Sequence, residues 1–166
     1  MKLHDLYLKR ESCRNFIGEK VSKEVITDIL SEAMLAPSAV NRQPWYFHLI
    51  ENEEIMSNIT KPWREFTHHA GGMVVITTDN DPFVPQLRRH DFRSFDVGGI
   101  SSHIILSAAE RNVHTCLIGS FDDDLVKAEL PMIANRKIHI IVLFGYGKDA
   151  PKEKIRVPLE ERLTVV

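Results

Sequence analysis

The run Arg10-Glu11-Ser12-Cys13-Arg14 places two guanidinium groups and a hydroxyl within five residues. Arginine offers a rigid, permanently charged fork of donors, which suits a phosphate or a carbonyl edge that develops negative charge. The same run also reads as a solvated charge cluster with Glu11 as partner. A second polar run, Ala36-Pro37-Ser38-Ala39-Val40-Asn41-Arg42-Gln43-Pro44-Trp45, breaks a periodic helix with two prolines. Pro37 and Pro44 fix φ and bias Ala36 and Gln43 away from helical geometry. Ser38, Asn41 and Gln43 are thus presented from a backbone with little freedom to lose on binding. Their hydroxyl and amides match a heterocycle with alternating carbonyl and ring-nitrogen edges, although an ordinary helix-to-strand turn has the same composition. Arg156 is a further candidate for a phosphate.

These residues must be positioned by the elements around them. A short helix over residues 4–9 precedes the arginine run, and Ser22 caps a longer helix whose apolar face is Val25, Ile26, Ile29, Leu30, Ala33 and Met34. Strands are predicted over residues 45–50, 73–78, 115–118 and 138–144, with helices over 52–59, 96–111 and 122–130. Asp96 reads as the cap of its helix, and Gly98 and Gly99 point to close packing or close ligand approach near its start. Residues 82–93 carry no periodic signal and are expected to form a loop or lid. The apolar, β-branched end Leu163-Thr164-Val165-Val166 reads either as a strand docked on a neighbouring subunit or as a terminal strand of its own sheet. Alternating helices and strands predict an α/β or α+β sandwich.

With 166 residues, 43% hydrophobic and 27% charged, the chain is expected to be a single domain over residues 1–166. A formal net charge of -2 provides no global basic field, so neither nucleic acid nor an anionic membrane is an expected partner. Cys13 and Cys116 lack CxxC spacing, and the histidines form no HExxH or His/Cys ligand pattern, so no disulfide and no metal site are expected. No apolar stretch has the length of a signal peptide or a membrane span, which predicts a cytoplasmic protein.

Taken in order, Arg10-x-Ser12-x-Arg14, the Ser22-capped helix, Pro37-Ser38-x-x-Asn41-x-Gln43-Pro44-Trp45, Cys116-Leu117-Ile118-Gly119-Ser120-Phe121, Phe144-Gly145-Tyr146-Gly147 and Arg156 resemble the nitroreductase family of FMN-dependent oxidoreductases. The resemblance implies an α+β sandwich, a mainly antiparallel central sheet flanked by helices, and a homodimer whose C-terminal segment is exchanged or docked on the partner. It implies FMN at the dimer interface, with Arg10 and Ser12 nearer the phosphate and ribityl chain and Arg14 nearer the pyrimidine. Pro37, Ser38 and Asn41 match a loop that reaches the isoalloxazine from the partner subunit, and Gln43 a pyrimidine or loop-bracing contact. Ile118 and Gly119 match a backbone stretch lying along the flavin, and Arg156 a late phosphate contact. The implied activity is ping-pong hydride transfer from NADH or NADPH, through flavin N5, to a small acceptor such as a nitroaromatic or quinone. No protein nucleophile is needed, nor a GxGxxG loop for the nicotinamide.

Two departures stand out: Glu11 replaces the second arginine of the family's usual start, and Asn112-Val113-His114 replaces a glycine-containing turn. Trp63, Phe83, Phe92 and Phe95 are candidates either for an acceptor pocket or for core packing. A flavin-binding carrier or sensor with little turnover, and a non-flavin nucleotide-binding domain, are the alternative functions.

Overall fold

The computed structural model describes residues 2–63, 65–80, 91–148 and 153–166. Its centre is a four-stranded sheet in the order β1-β2-β4-β3, formed by β1 (Trp45–Ile50), β2 (Gly72–Asp79), β3 (His114–Ile118) and β4 (Arg136–Gly145). Every pairing is antiparallel, with Tyr46 opposite Thr77, Val74 opposite Val142, and Cys116 opposite Leu143. The apolar run predicted as a buried strand is β2, in which only Asp79 reaches solvent.

Alternation along β2 and β4 feeds two apolar layers. Val74, Ile76, Val142 and Phe144 pack with Ile26, Ile29, Ile100 and Ile104, which belong to α2 (Lys23–Ala33) and α4 (Arg93–Glu110). Met73, Val75, Ile141 and Leu143 pack with Ile59, Val126 and Ile133 on the opposite face. The helices there are α3 (Glu53–Thr60) and α5 (Asp123–Glu129), and α1 (Leu3–Lys9) lies against α4. The result is the expected α+β sandwich.

Ser22 does cap α2, its Oγ accepting from the Val25 amide at 3.3 Å. The other end of α2 is tied to α4: Arg111 donates Nη2 to Glu32 Oε1 at 2.5 Å and Nη1 to Oε2 at 2.7 Å, while Ser107 Oγ donates to Oε2 at 2.5 Å. Asn112 holds φ at +59°, so the turn that lacks the family's glycine is made by a residue type that tolerates the left-handed region.

Three expectations are corrected. The N-cap of α4 is Phe92 rather than Asp96, because the helix begins at Arg93 and leaves Asp96 inside it, buried. Among the described residues a Cβ at Gly98 meets nothing within 4 Å, which removes the close-packing reading of that glycine and leaves the close ligand approach. Leu163–Val166 form no strand of the sheet, and Val165 and Val166 are exposed, which removes the reading of an own-sheet terminal strand. The proposed lid falls largely on residues 81–90, outside the described residues, as do Phe83 and His90.

Arg111 and Ser107 hold the Glu32 carboxyl at about 2, well below its ordinary 4.5. A depressed folded-state value means that the contribution is complete above about pH 4.5 and is lost as pH falls toward 2. In chemical denaturation series at decreasing pH, wild type is expected to lose stability across that window, and Glu32→Gln to show a shallower acid slope.

Candidate functional site

After α1 the chain is extended, and burial alternates: Cys13 is buried, whereas Ser12 and Arg14 face outward with Arg10 half-buried. Arg10, Ser12 and Arg14 therefore share one face. The segment is held at β3, where Ser12 bridges Thr115 in parallel and the Cys13 amide donates to the Thr115 carbonyl at 2.9 Å. Farther along, Phe16 bridges Gly147 and the Ile17 amide donates to Tyr146 at 3.0 Å.

This docking sets Arg14 beside the end of β3. Arg14, Cys116, Leu117, Ile118, Gly119 and Ser120 line a cavity of about 680 Å³ whose other wall is Pro62, Trp63 and Thr67. That volume lies within the usual span for small-molecule sites. Gly119 is exposed, and a Cβ there meets nothing within 4 Å, so the backbone after β3 is open to a flat ligand. Burial pushes the Cys116 thiol up, and the positive charge of Arg14 works against that shift. A raised thiol argues against a standing thiolate nucleophile here.

Arg10 stands at the other end of the segment with two further cations. Lys154 donates to the Leu8 carbonyl, which ties the C-terminal stretch to α1. Its ammonium is depressed first by burial and then by Arg10, with Arg156 adding to the depression and Glu11 opposing it. Lys154 thus lies close enough to Arg10 and to Arg156 to feel both guanidinium charges, a repulsion that an anion relieves. Arg156 itself donates to the Ile155 carbonyl at 2.7 Å.

The proline loop is more constrained than its prolines alone require. Val40, Asn41 and Gln43 hold φ at +48°, +56° and +50°, and a β-branched residue is especially disfavoured there. Ser38 Oγ accepts from the Gln43 amide at 2.9 Å, and Gln43 Nε2 donates to the Asn41 carbonyl at 3.3 Å and to Asn41 Oδ1 at 3.2 Å. Gln43 therefore braces the loop. Buried Asp96 accepts from the Ala39 amide at 2.9 Å and anchors the loop on α4. Pro37, Asn41 and Gln43 are exposed and Ser38 half-buried.

Arg14, Ile118 and Gly119 are thus brought into one cavity, and Arg10 and Arg156 into one cationic cluster, with Ser12 between them in the chain. Among the described residues, none of Pro37, Ser38, Asn41 or Gln43 lines the Arg14 cavity of the same protomer. Sequence reasoning missed Lys154, whose only local signal is its position two residues before Arg156, and Thr67, which carries no motif at all. Trp63 lines the cavity, whereas Phe95 is exposed and meets Phe92 edge-on at 6.5 Å.

Residues 7–65 match the sequence profile of the Nitroreductase family. The crystal structure of a nitroreductase family protein from Clostridium difficile 630 covers 99% of this chain and 98% of its own, with a TM-score of 0.85 and 28% identity. The chain is thus similar to the nitroreductase family in sequence over its first third and in fold over nearly its whole length. The family fold also appears in a Streptococcus pneumoniae TIGR4 protein with a TM-score of 0.88 at 19% identity, covering 99% of this chain and 100% of that one. A relative from Archaeoglobus fulgidus, provisionally named NADH dehydrogenase/NAD(P)H nitroreductase, is 26% identical over 148 residues, spanning 84% of this chain and 82% of its own. Among the described residues, no helix is long and apolar enough to cross a membrane.

Removing the anchor of the loop tests its construction. Asp96→Ala leaves the Ala39 amide without its acceptor and is expected to cost about 1–3 kcal/mol in urea unfolding. Asp96→Asn, which keeps an acceptor oxygen, is expected to lose less.

Proposed function

We propose that this protein is an FMN-dependent oxidoreductase, acting as a single-domain homodimer in the cytoplasm on NADH or NADPH and a small electron acceptor. The observation that carries this reading is the convergence of Arg14 with the open Ile118–Gly119 backbone in one 680 Å³ cavity, on a segment whose other end is a cationic cluster. An elongated cofactor with a heterocycle at one end and a phosphate at the other fits that layout. The match of residues 7–65 to the Nitroreductase family profile and the nicotinamide-dependent name of the archaeal relative support the same reading.

When bound, FMN supplies a two-electron carrier that takes hydride at N5 from the nicotinamide and delivers it to an acceptor such as a nitroaromatic or quinone, in ping-pong order. Arg10, Lys154 and Arg156 hold the phosphate, and Ser12 faces the ribityl chain. Arg14 sets a fixed cation at the pyrimidine edge, where it stabilises negative charge on the N1 and C2 carbonyl region and favours two-electron reduction. Ile118 and Gly119 offer backbone along the ring. Pro37, Ser38 and Asn41 complete the site from the partner subunit, with Gln43 keeping that loop in shape. No side chain acts as nucleophile, and no metal takes part in the transfer.

Several surfaces support the dimer. Phe95, Gly98 and Ser102 form an exposed stripe along α4, and a Cβ at Gly98 has open space in front of it. Leu3, Tyr7 and Leu8 of α1, and Ile155, Val157, Leu159 and Leu163 of the C-terminal segment, are also exposed. Large apolar side chains left exposed on α1 and the C-terminal segment favour association with a further surface.

Purified protein is expected to be yellow and to bleach anaerobically with NADH or NADPH. Colourless protein that fails to take up added FMN would overturn the assignment, and bound FMN untouched by either nicotinamide would indicate a carrier instead. Arg14→Ala is expected to weaken FMN binding roughly tenfold or more, or to lower its reduction potential, as loss of a charge-assisted contact requires. Sedimentation at low micromolar concentration is expected to show a dimer.

A further inference from the structure

Beyond the proposed flavin site, the fold gathers three side chains of metal-ligating type that the linear sequence keeps apart. Ligand atoms of Glu11, Cys13 and His114 all lie within 4.8 Å of one another. His114 Nδ1 is buried and has no hydrogen-bond partner, with Glu11 Oε1 at 3.6 Å. Two ligands at ~2.0–2.1 Å from a tetrahedral ion stand ~3.3 Å apart, close to that separation.

Gly147 shows where these atoms point. A Cβ on it falls 2.6 Å from His114 Nδ1, 3.0 Å from Cys13 Sγ and 3.1 Å from Asn15 Oδ1, so a nitrogen, a sulfur and an oxygen converge on the space left by a missing side chain. A small cavity of about 20 Å³ borders Glu11 and His114 on the side of Ile105 and Val113. Imidazole, thiolate and carboxylate together favour a borderline cation, Zn²⁺ above Mg²⁺ or Ca²⁺.

We propose that Glu11, Cys13 and His114 bind one Zn²⁺, leaving a fourth position for water. The thiol of Cys13 releases its proton to solvent on ligation. Carboxylate and thiolate then cancel the charge of the ion, so the loaded site is neutral, one unit more positive than the empty site with its Glu11 carboxylate. Asn15, whose Oδ1 now accepts from Cys13 Sγ at 3.2 Å, turns its amide to donate to the thiolate. The ion clips the Arg10–Arg14 segment onto the start of β3, a structural role separate from electron transfer.

Zn²⁺ titrated calorimetrically into chelator-treated full-length protein tests this without measuring activity. One equivalent is expected to bind, and His114→Ala and Cys13→Ser to weaken it about 100-fold or more while keeping the native far-UV circular dichroism. Co²⁺ added to wild type is expected to produce a thiolate-to-metal charge-transfer band in the difference spectrum, retained in Cys116→Ser. This readout stands even if Cys13→Ser fails to fold, and Glu11→Gln then serves as the affinity test. Absence of stoichiometric uptake, unchanged affinity in the folded variants, or a band lost in Cys116→Ser would overturn the proposal.

Discussion

The parallel bridge between Ser12 and Thr115, reinforced by the Cys13 amide on the Thr115 carbonyl at 2.9 Å, is the constraint on which the candidate site depends. It turns a charged stretch with no secondary structure of its own into a ruler along the sheet. Extended backbone advances about 3.3 Å per residue, so the spacing of Arg10, Ser12 and Arg14 becomes a spacing of donors along a ligand. Cys13 and Phe16 fix the ruler from below by joining the α3/α5 core layer. Chemistry on the outer face is thus held by packing on the inner face of the same residues.

A second constraint comes from α4. Asp96 is buried, and its oxygen is committed to the Ala39 amide. That single bond, with the Ser38 and Gln43 contacts, keeps three residues in the left-handed region. Strain of order 1–3 kcal/mol per such residue persists only where the surroundings over-determine it. The loop is therefore a preorganised surface, and its residues are not among those that line the Arg14 cavity of this chain.

Much of this was legible in the sequence. Ser22 followed by Ile26, Ile29 and Ala33 specifies α2 through capping and period, and the 73–78 run specifies a strand buried on both faces. The Pro37–Trp45 loop was legible as rigid, since two prolines act locally. An acid near a helix start usually caps it, which points to Asp96, but the helix starts at Arg93, whose amide donates to Asp91 Oδ1 at 3.1 Å. Lys154 was invisible for a different reason: its role comes from a return of the C-terminal stretch to Leu8 and Arg10, a contact that no local pattern encodes. The meeting of Glu11, Cys13 and His114 is likewise a product of the Ser12–Thr115 pairing rather than of any ligand spacing.

β3 is the last strand in the order β1-β2-β4-β3, so one of its sides has no sheet neighbour. Such a side is a template on which another chain can add itself, the first step of edge-to-edge aggregation. Ser12 and Cys13 pair with Thr115 of β3, which means that the start of the cation-bearing segment also blunts a sticky edge. Selection for solubility and selection for ligand binding therefore act on the same short segment, and loosening it threatens the colloidal behaviour of the protein together with its chemistry.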